Sequence, residues 1–278
     1  MRRYIGDTKQ SGKRVCFVPT MGHLHAGHMA LVERAKEWAD CVVVSLFVNR
    51  MQFGPDEDFD SYPRTFADDV ARLQEQAVDA VFAPSAAVLY PQGLERHTVV
   101  RVDSLDGRYC GKSRPAFFSG IATVVTKLFN IVQPDAAVFG EKDFQQLAII
   151  RQLTCDLCFA VEIIAVPIVR ESDGLAMSSR NSYLSCEERL KAPLLYQRLQ
   201  AARESVLEGC LSFRDIEQEA RLVLDREGFV PDYFTVARRD DLAPAKRGEG
   251  RLVILAAAEL ARTRLIDNIQ IDLPEGVQ

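Results

Sequence analysis

Three of the four histidines of this 278-residue chain fall together at His23, His25 and His28, within the run Pro19-Thr20-Met21-Gly22-His23-Leu24-His25-Ala26-Gly27-His28. Two imidazoles separated by two residues can flank one phosphate, and Gly27 between them lets a nucleotide approach the backbone with no Cβ in the way. The apolar run ending near Val18 reads as a strand, and a helix pattern begins near Gly27. A turn between the two offers backbone N–H donors and the positive end of a helix dipole, where phosphate oxygens are stabilised. His-x-Gly-His therefore reads as a nucleotidyl-transfer site. Donors held in place beforehand stabilise the charge that builds at the α-phosphate in the transition state more than they stabilise bound ATP, and His28 is assigned that role. Two other readings stay open. The histidine spacing resembles some metal sites, although no Asp, Glu or Cys nearby completes a usual ligand set, and the turn can be purely structural.

Other residues join this one through position. Gly140-Glu141-Lys142-Asp143 follows the apolar run Ala136 to Phe139 and precedes a helical pattern, so it too reads as a strand-to-helix loop. Lys142 has the reach for β- and γ-phosphates and Asp143 for a ribose, although solvation is the default reading of such a charged loop. Met177-Ser178-Ser179-Arg180 sets two hydroxyls and a guanidinium in a polar loop suited to a triphosphate. Asn49, Gln52, Gln145 and Gln146 stand near strand ends, where neutral donors and acceptors can orient hydroxyl and carboxylate groups.

The elements that must hold these residues follow from the apolar pattern. Strand-length runs recur at Val15 to Val18, Cys41 to Val48, Ala80 to Phe82, Ala136 to Phe139 and Val161 to Val166, mostly separated by segments of helical period. The runs are continuous, without in/out alternation, which predicts a parallel sheet buried on both faces. The fold class is thus α/β, a Rossmann-like doubly wound sheet, whose ligands sit beyond the carboxyl ends of the strands. A turn-like Glu171-Ser172-Asp173-Gly174 marks a boundary. Residues 1–170 form the nucleotide- and substrate-binding domain, and residues 171–278 a smaller C-terminal α+β lid domain. Ser185-x-x-Glu188 is a capping box, predicted to open a helix running to about Glu208 before Gly209. A second helix is expected over Phe213 to Arg226, and strands over Tyr233 to Ala237, Arg251 to Ala256 and Arg264 to Ile271.

Bulk properties exclude several classes. The formal net charge is −5 with both signs interspersed, so there is no basic stripe to meet nucleic acid. No window approaches a membrane span and the start lacks a signal-peptide apolar region, which leads to a cytoplasmic expectation. The seven cysteines read as packed thiols without disulfides, including Cys155-x-x-Cys158, which falls late in a helical pattern and not at a helix start where a thiolate is stabilised.

Taken together, these motifs resemble those of the pantoate-β-alanine ligases, the pantothenate synthetases of the nucleotidyltransferase superfamily. The resemblance spans nearly the whole chain and also includes Phe47-Val48-Asn49-x-Met51-Gln52-Phe53, Tyr62-Pro63-Arg64-Thr65, Phe139 to Leu147, Asp173 to Asn181 and Leu265-Ile266-Asp267-Asn268. It implies a homodimeric ligase of pantothenate biosynthesis. Pantoate and ATP would give pantoyl adenylate and pyrophosphate, β-alanine would then displace AMP, and Mg2+ would accompany the triphosphate. It further implies an ATP site of Met21, Gly22, His23, Leu24, His25, Ala26, Gly27, His28, Gly140, Glu141, Lys142, Asp143, Val169, Met177, Ser178, Ser179 and Arg180. Within that site His28, His25, Lys142, Ser178 and Arg180 form the expected catalytic set, with His28 as proton donor. Gln52 would bind pantoate and β-alanine and Gln146 pantoate, with Asn49 a third substrate-binding residue. Three departures stand out: only about a dozen residues precede Gly12, so an edge strand is expected to be missing; Arg50 replaces a usual proline; Phe117 replaces a usual histidine. Adenylylation of a phosphate-bearing substrate and a catalytically silent ATP-binding protein are the competing readings.

Overall fold

The computed structural model describes residues 1–55 and 57–273. The chain divides into two compact units, Met1–Glu141 with Gln146–Pro167 and Lys142–Gln145 with Ile168–Gln278.

In the first unit, strands β1 (Val15–Thr20), β2 (Cys41–Leu46), β3 (Ala80–Phe82), β4 (Ala136–Gly140) and β5 (Glu162–Val166) form one sheet of order β3-β2-β1-β4-β5. All four neighbouring pairs are parallel. Burial of both faces explains the continuous apolar runs of β1, β2 and β4, whereas the edge strands β3 and β5 are only partly buried, because an edge has a neighbour on one side alone. Cys16, Val18, Val42, Val44, Ala136 and Val138 pack on one side with Val32 and Ala35 of helix α2 (Ala26–Trp38) and Leu73 of α3 (Phe66–Glu75). Phe17 and Val43, which alternate with them, are fully buried. Helix α1 (Arg2–Gln10) contacts β1 and also α7 (Phe117–Val132), whose Phe129 meets Phe139 of β4 edge to face. The start of the chain is thus helical over these residues. Between β3 and α7 run three one-turn helices, α4 (Ala86–Leu89), α5 (Asp103–Asp106) and α6 (Cys110–Ser113). Helix α8 (Phe144–Asp156) leads from β4 to β5. The strand order reverses direction between β1 and β4, and the crevice beyond the carboxyl ends at such a switch point is where open α/β sheets bind ligands.

The second unit has an antiparallel sheet, β6 (Phe229–Arg238), β7 (Arg251–Leu260) and β8 (Thr263–Asp272), covered by helices α10 (Leu194–Glu208) and α11 (Phe213–Arg226). Its core joins Leu195, Leu199 and Leu224 to Phe234, Ile254 and Ala256. The predicted single helix from Ser185 is two helices. Ser185 and Glu188 do form a capping box for α9 (Cys186–Lys191), but the chain breaks at Ala192-Pro193 before α10 begins. Proline lacks the N–H that a continuing helix would use.

Cys16, Cys41 and Cys110 are buried thiols, as expected, whereas Cys155, Cys158, Cys186 and Cys210 are exposed. No helix among the described residues is long and apolar enough to cross a membrane.

Candidate active site

The His-x-Gly-His turn leaves the central strand β1 at Thr20 and enters α2 at Ala26. Thr20 ties it to the neighbouring strand, since its Oγ1 donates to the Ser45 carbonyl (2.7 Å) and accepts from the Gly22 N–H (3.2 Å). Gly22 and His23 both adopt positive φ, +88° and +51°. The strain of a left-handed histidine is held by Asp69 on α3, 3% exposed, whose carboxylate accepts the N–H groups of His23 (2.9 Å) and Leu24 (2.8 Å). A Cβ at Gly22 would stand 2.9 Å from that carboxylate. Glycine is required there twice over, by conformation and by space.

His25 is the N-cap of α2. Its Nδ1 accepts the Gly27 N–H (3.1 Å), while Nδ1 of His28 accepts the His25 N–H (3.3 Å), a capping box made from two imidazoles with ring centroids 4.1 Å apart. Some of the helix-start donors expected to face phosphate are therefore used by the histidines themselves, because an imidazole nitrogen satisfies an orphan N–H as a carboxylate does. The consequence is chemical. With each Nδ1 accepting, each ring carries its proton on Nε2, so the pair presents two N–H donors of fixed tautomer.

The first unit also holds the amides. Asn49 is 1% exposed and caps the 3-10 turn Arg50–Gln52. Its Nδ2 donates to Gln52 Oε1 (3.2 Å) and to the Gly120 carbonyl (3.1 Å). Its Oδ1 accepts from the Met51 N–H (3.3 Å) and the Tyr90 hydroxyl (2.9 Å). Gly120 near the start of α7 permits this, because a Cβ there would fall 2.2 Å from the Met51 carbonyl oxygen. Gln52 Nε2 lies 3.0 Å from the Met21 sulfur, which links the amides to the turn. Gln146 is half-buried on α8, and Gly140 and Glu141 stand at the end of β4. The Arg50 guanidinium donates to the Phe53 and Gly54 carbonyls. Phe117 lies under Arg114, 3.5 Å from the guanidinium carbon to the ring centre, and Arg114 makes a forked ion pair with Glu57 (2.6 and 2.5 Å). In place of an imidazole this position offers a cation-π shelf.

The second unit collects the remaining predicted residues. A cleft in it is lined by Lys142, Ala176, Ser178, Asn181, Tyr196 and Asp267, among others. Asn268 donates from Nδ2 to the Lys142 carbonyl (3.0 Å) and so fixes the Lys142 backbone. Val169 accepts the Met177 N–H (3.0 Å). This closes a hairpin that leads into Ser178, whose Oγ caps the turn Ser179–Tyr183 by accepting the Arg180 N–H (3.3 Å). Arg170 braces the hairpin, donating to the Gly174 carbonyl (3.0 Å) and, bidentate, to Asp267 (2.6 and 2.9 Å), with Tyr196 under its guanidinium. Burial pushes the Asp267 carboxyl above its ordinary range, with Arg170 acting against that shift. Gln145 is buried. Among the described residues no group of three or more His, Cys, Asp or Glu side chains forms a metal cage.

The supporting residues Asp69, Tyr90, Gly120 and Arg170 were missed by sequence reasoning. They act from 45, 41 and 71 positions away, in the cases of Asp69, Tyr90 and Gly120, and only a paired fold shows such contacts.

The pantoate-beta-alanine ligase family model matches residues 1–270. The chain is 52% identical over 273 residues to a pantothenate synthetase of Hahella chejuensis, covering 98% of this chain and 96% of that one. It is 54% identical over 266 residues to one of Neisseria meningitidis, covering 96% and 95%. Among solved structures, pantothenate synthetase from Thermus thermophilus aligns with a TM-score of 0.90 at 44% identity, covering 97% and 98%. The pantoate-beta-alanine ligase of Francisella tularensis, complexed with beta-gamma ATP and beta-alanine, aligns at 0.79 and 31%, covering 96% and 94%. With the family model matching residues 1–270 and with relatives about half identical over almost their full length, this chain belongs to the pantoate-β-alanine ligase family.

Proposed function

We propose that this enzyme activates pantoate at the His25/His28 pair and passes the acyl group to β-alanine. The family's reaction is the ATP-dependent condensation of pantoate with β-alanine to pantothenate, releasing AMP and pyrophosphate. The observation that carries the assignment of residues is the imidazole capping box, which fixes two Nε2–H donors side by side at the carboxyl edge of β1.

A carboxylate oxygen of pantoate attacks the α-phosphorus of ATP, the bond to the bridging oxygen breaks, and pyrophosphate leaves with the electron pair. The carboxylate is already nucleophilic, so the step needs alignment and charge stabilisation more than a base. His28 and His25 donate to the α-phosphate oxygens, whose charge grows in the transition state. Lys142, Ser178 and Arg180 hold the β- and γ-phosphates. The Ser178 hydroxyl accepts the Arg180 N–H and keeps its own proton to donate. Met21 to Leu24, Ala26, Gly27, Gly140, Glu141, Asp143, Val169, Met177 and Ser179 complete the nucleotide's surroundings. Mg2+ would come with ATP as part of the substrate and would neutralise charge on the triphosphate. Gln52 and Gln146 bind pantoate. In the second step the neutral amine of β-alanine attacks the acyl carbon, AMP departs, and one proton is released. We further place the enzyme in the cytoplasm as a homodimer.

Pantoate labelled with oxygen-18 in its carboxylate tests the adenylate directly. Transfer of one labelled oxygen to AMP is expected; label in inorganic phosphate, with ADP as the other product, would mean activation through an acyl phosphate.

A further inference from the structure

Asn49 has two donor hydrogens and two acceptor lone pairs, and the four contacts described above use all of them. Two of the four partners are backbone groups that cannot exchange roles. The Met51 N–H can only donate and the Gly120 carbonyl can only accept, so the orientation of the Asn49 carboxamide is determined without reference to amide assignment. It follows that Asn49 meets Gln52 with its NH2 group, that Gln52 answers with Oε1, and that the Gln52 NH2 is the end turned away. The acceptor that NH2 meets among the described residues is the Met21 thioether, a weak one, which a substrate oxygen would outcompete.

The shortest of the four Asn49 contacts is to Tyr90. That ring is 3% exposed and is gripped from two sides. The Lys127 ammonium lies 4.7 Å from its centre and is itself anchored on the Leu89 carbonyl (2.8 Å), and the His97 ring meets it edge-on at 5.3 Å. Burial pushes the phenol up to about 12, so the hydroxyl keeps its proton and stays a donor to Asn49 Oδ1 through the neutral range.

We propose that Tyr90 and Asn49 form a relay that fixes the polarity of the Gln52 carboxamide, so that Gln52 recognises its substrate only through an acceptor oxygen. Tyr90 and Asn49 are positioning residues on this account, and Asn49 itself does not touch pantoate. The inference rests on the assignment of Gln52 to pantoate. A hydroxy acid supplies the required acceptor through its carboxylate or its hydroxyl oxygen; an analogue that offers an amine donor in that place is rejected, because a donor would face a donor.

The test is steady-state kinetics of the full-length enzyme with Gln52→Ala, Tyr90→Phe and Asn49→Asp, reading KM for pantoate and for ATP separately. Tyr90→Phe keeps the ring packing and removes one hydrogen bond. It should raise KM for pantoate about tenfold, the factor set by one net hydrogen bond, and leave KM for ATP within about twofold. Asn49→Asp sets an oxygen against both the Gly120 carbonyl and Gln52 Oε1, turning Gln52 over, and should raise KM for pantoate further than Tyr90→Phe does. A raised pantoate KM in Gln52→Ala with unchanged values in the other two would overturn the relay alone. Equal rises for pantoate and ATP in Tyr90→Phe would make Tyr90 an ordinary packing residue, which also overturns it. An unchanged pantoate KM in Gln52→Ala would instead remove the assignment of Gln52, and the relay with it.

Discussion

Asp69 holds the segment that leads into the His-x-Gly-His motif. Its buried carboxylate is shared by two backbone N–H groups of a segment that contains a left-handed histidine. Without it those N–H groups, one buried and one part-buried, lose their acceptor, at a cost of up to about 1–3 kcal/mol each. Asp69→Ala is therefore expected to lower the free energy of unfolding by about 2–4 kcal/mol, and Asp69→Asn by less, because its amide oxygen still accepts one bond. Urea denaturation measures both, and equal stability of Asp69→Ala and the parent would contradict this role. At the same scale, His28→Ala should slow adenylylation by about 10²- to 10³-fold, the usual effect of removing one donor from a developing oxyanion, measured by single-turnover formation of the adenylate. The motif was legible in the sequence because its parts are adjacent and chemically unusual. Asp69 and Tyr90 were not, since an Asp in an acidic helix start and a Tyr beside a proline have ordinary explanations until the fold brings them to the turn.

The central strands β1, β2 and β4 were legible because burial on both faces leaves a continuous apolar run; the edge strands β3 and β5 are only partly buried, yet all five runs became strands, with ends shifted by at most a few residues. The one-turn helices α4, α5 and α6 have too few residues to show a period. Distant groups hold α4 and α5, where Lys127 Nζ binds the Leu89 carbonyl and the Ser104 hydroxyl binds Gln152. The helix break at Pro193 had a local signal, overridden by the apolar periodicity that continues through it. Helix α8 ends in a Schellman turn. The Phe159 N–H meets the Thr154 carbonyl and the Cys158 N–H the Cys155 carbonyl, both at 3.0 Å, with Cys158 at φ +54° where glycine is favoured. Cys158 is exposed, so its side chain contributes little packing. Cys158→Gly should stabilise the protein by about 0.5–1 kcal/mol, seen as a higher urea midpoint at unchanged m-value; a lower midpoint would mean that the thiol makes a favourable contact.

At the scale of the whole molecule, buried acids link stability to pH, among them a thiol and a phenol on the alkaline side. Burial raises the Cys16 thiol from 9.0 to about 12 and the Tyr90 phenol from 10.0 to about 12. Each keeps its proton in the folded chain at pH values where the unfolded chain has released it. The folded state therefore binds more protons between about pH 9 and 12, and stability must fall as pH rises through that window, while below it these groups make no difference. Denaturation midpoints at pH 8, 9.5 and 11 should decline in that order; a flat profile would contradict the burial of both groups. On the proposed mechanism this chain couples ATP cleavage to a hydroxy acid at the His25/His28 pair. Pyrophosphate release from ATP by the purified protein tests it most directly, with pantoate, with pantoate and β-alanine, and with His28→Ala beside the parent. Release that requires pantoate, accelerates when β-alanine is added and collapses in His28→Ala is the predicted result. ATP binding with no pyrophosphate from any combination, or release undiminished in His28→Ala, would contradict it.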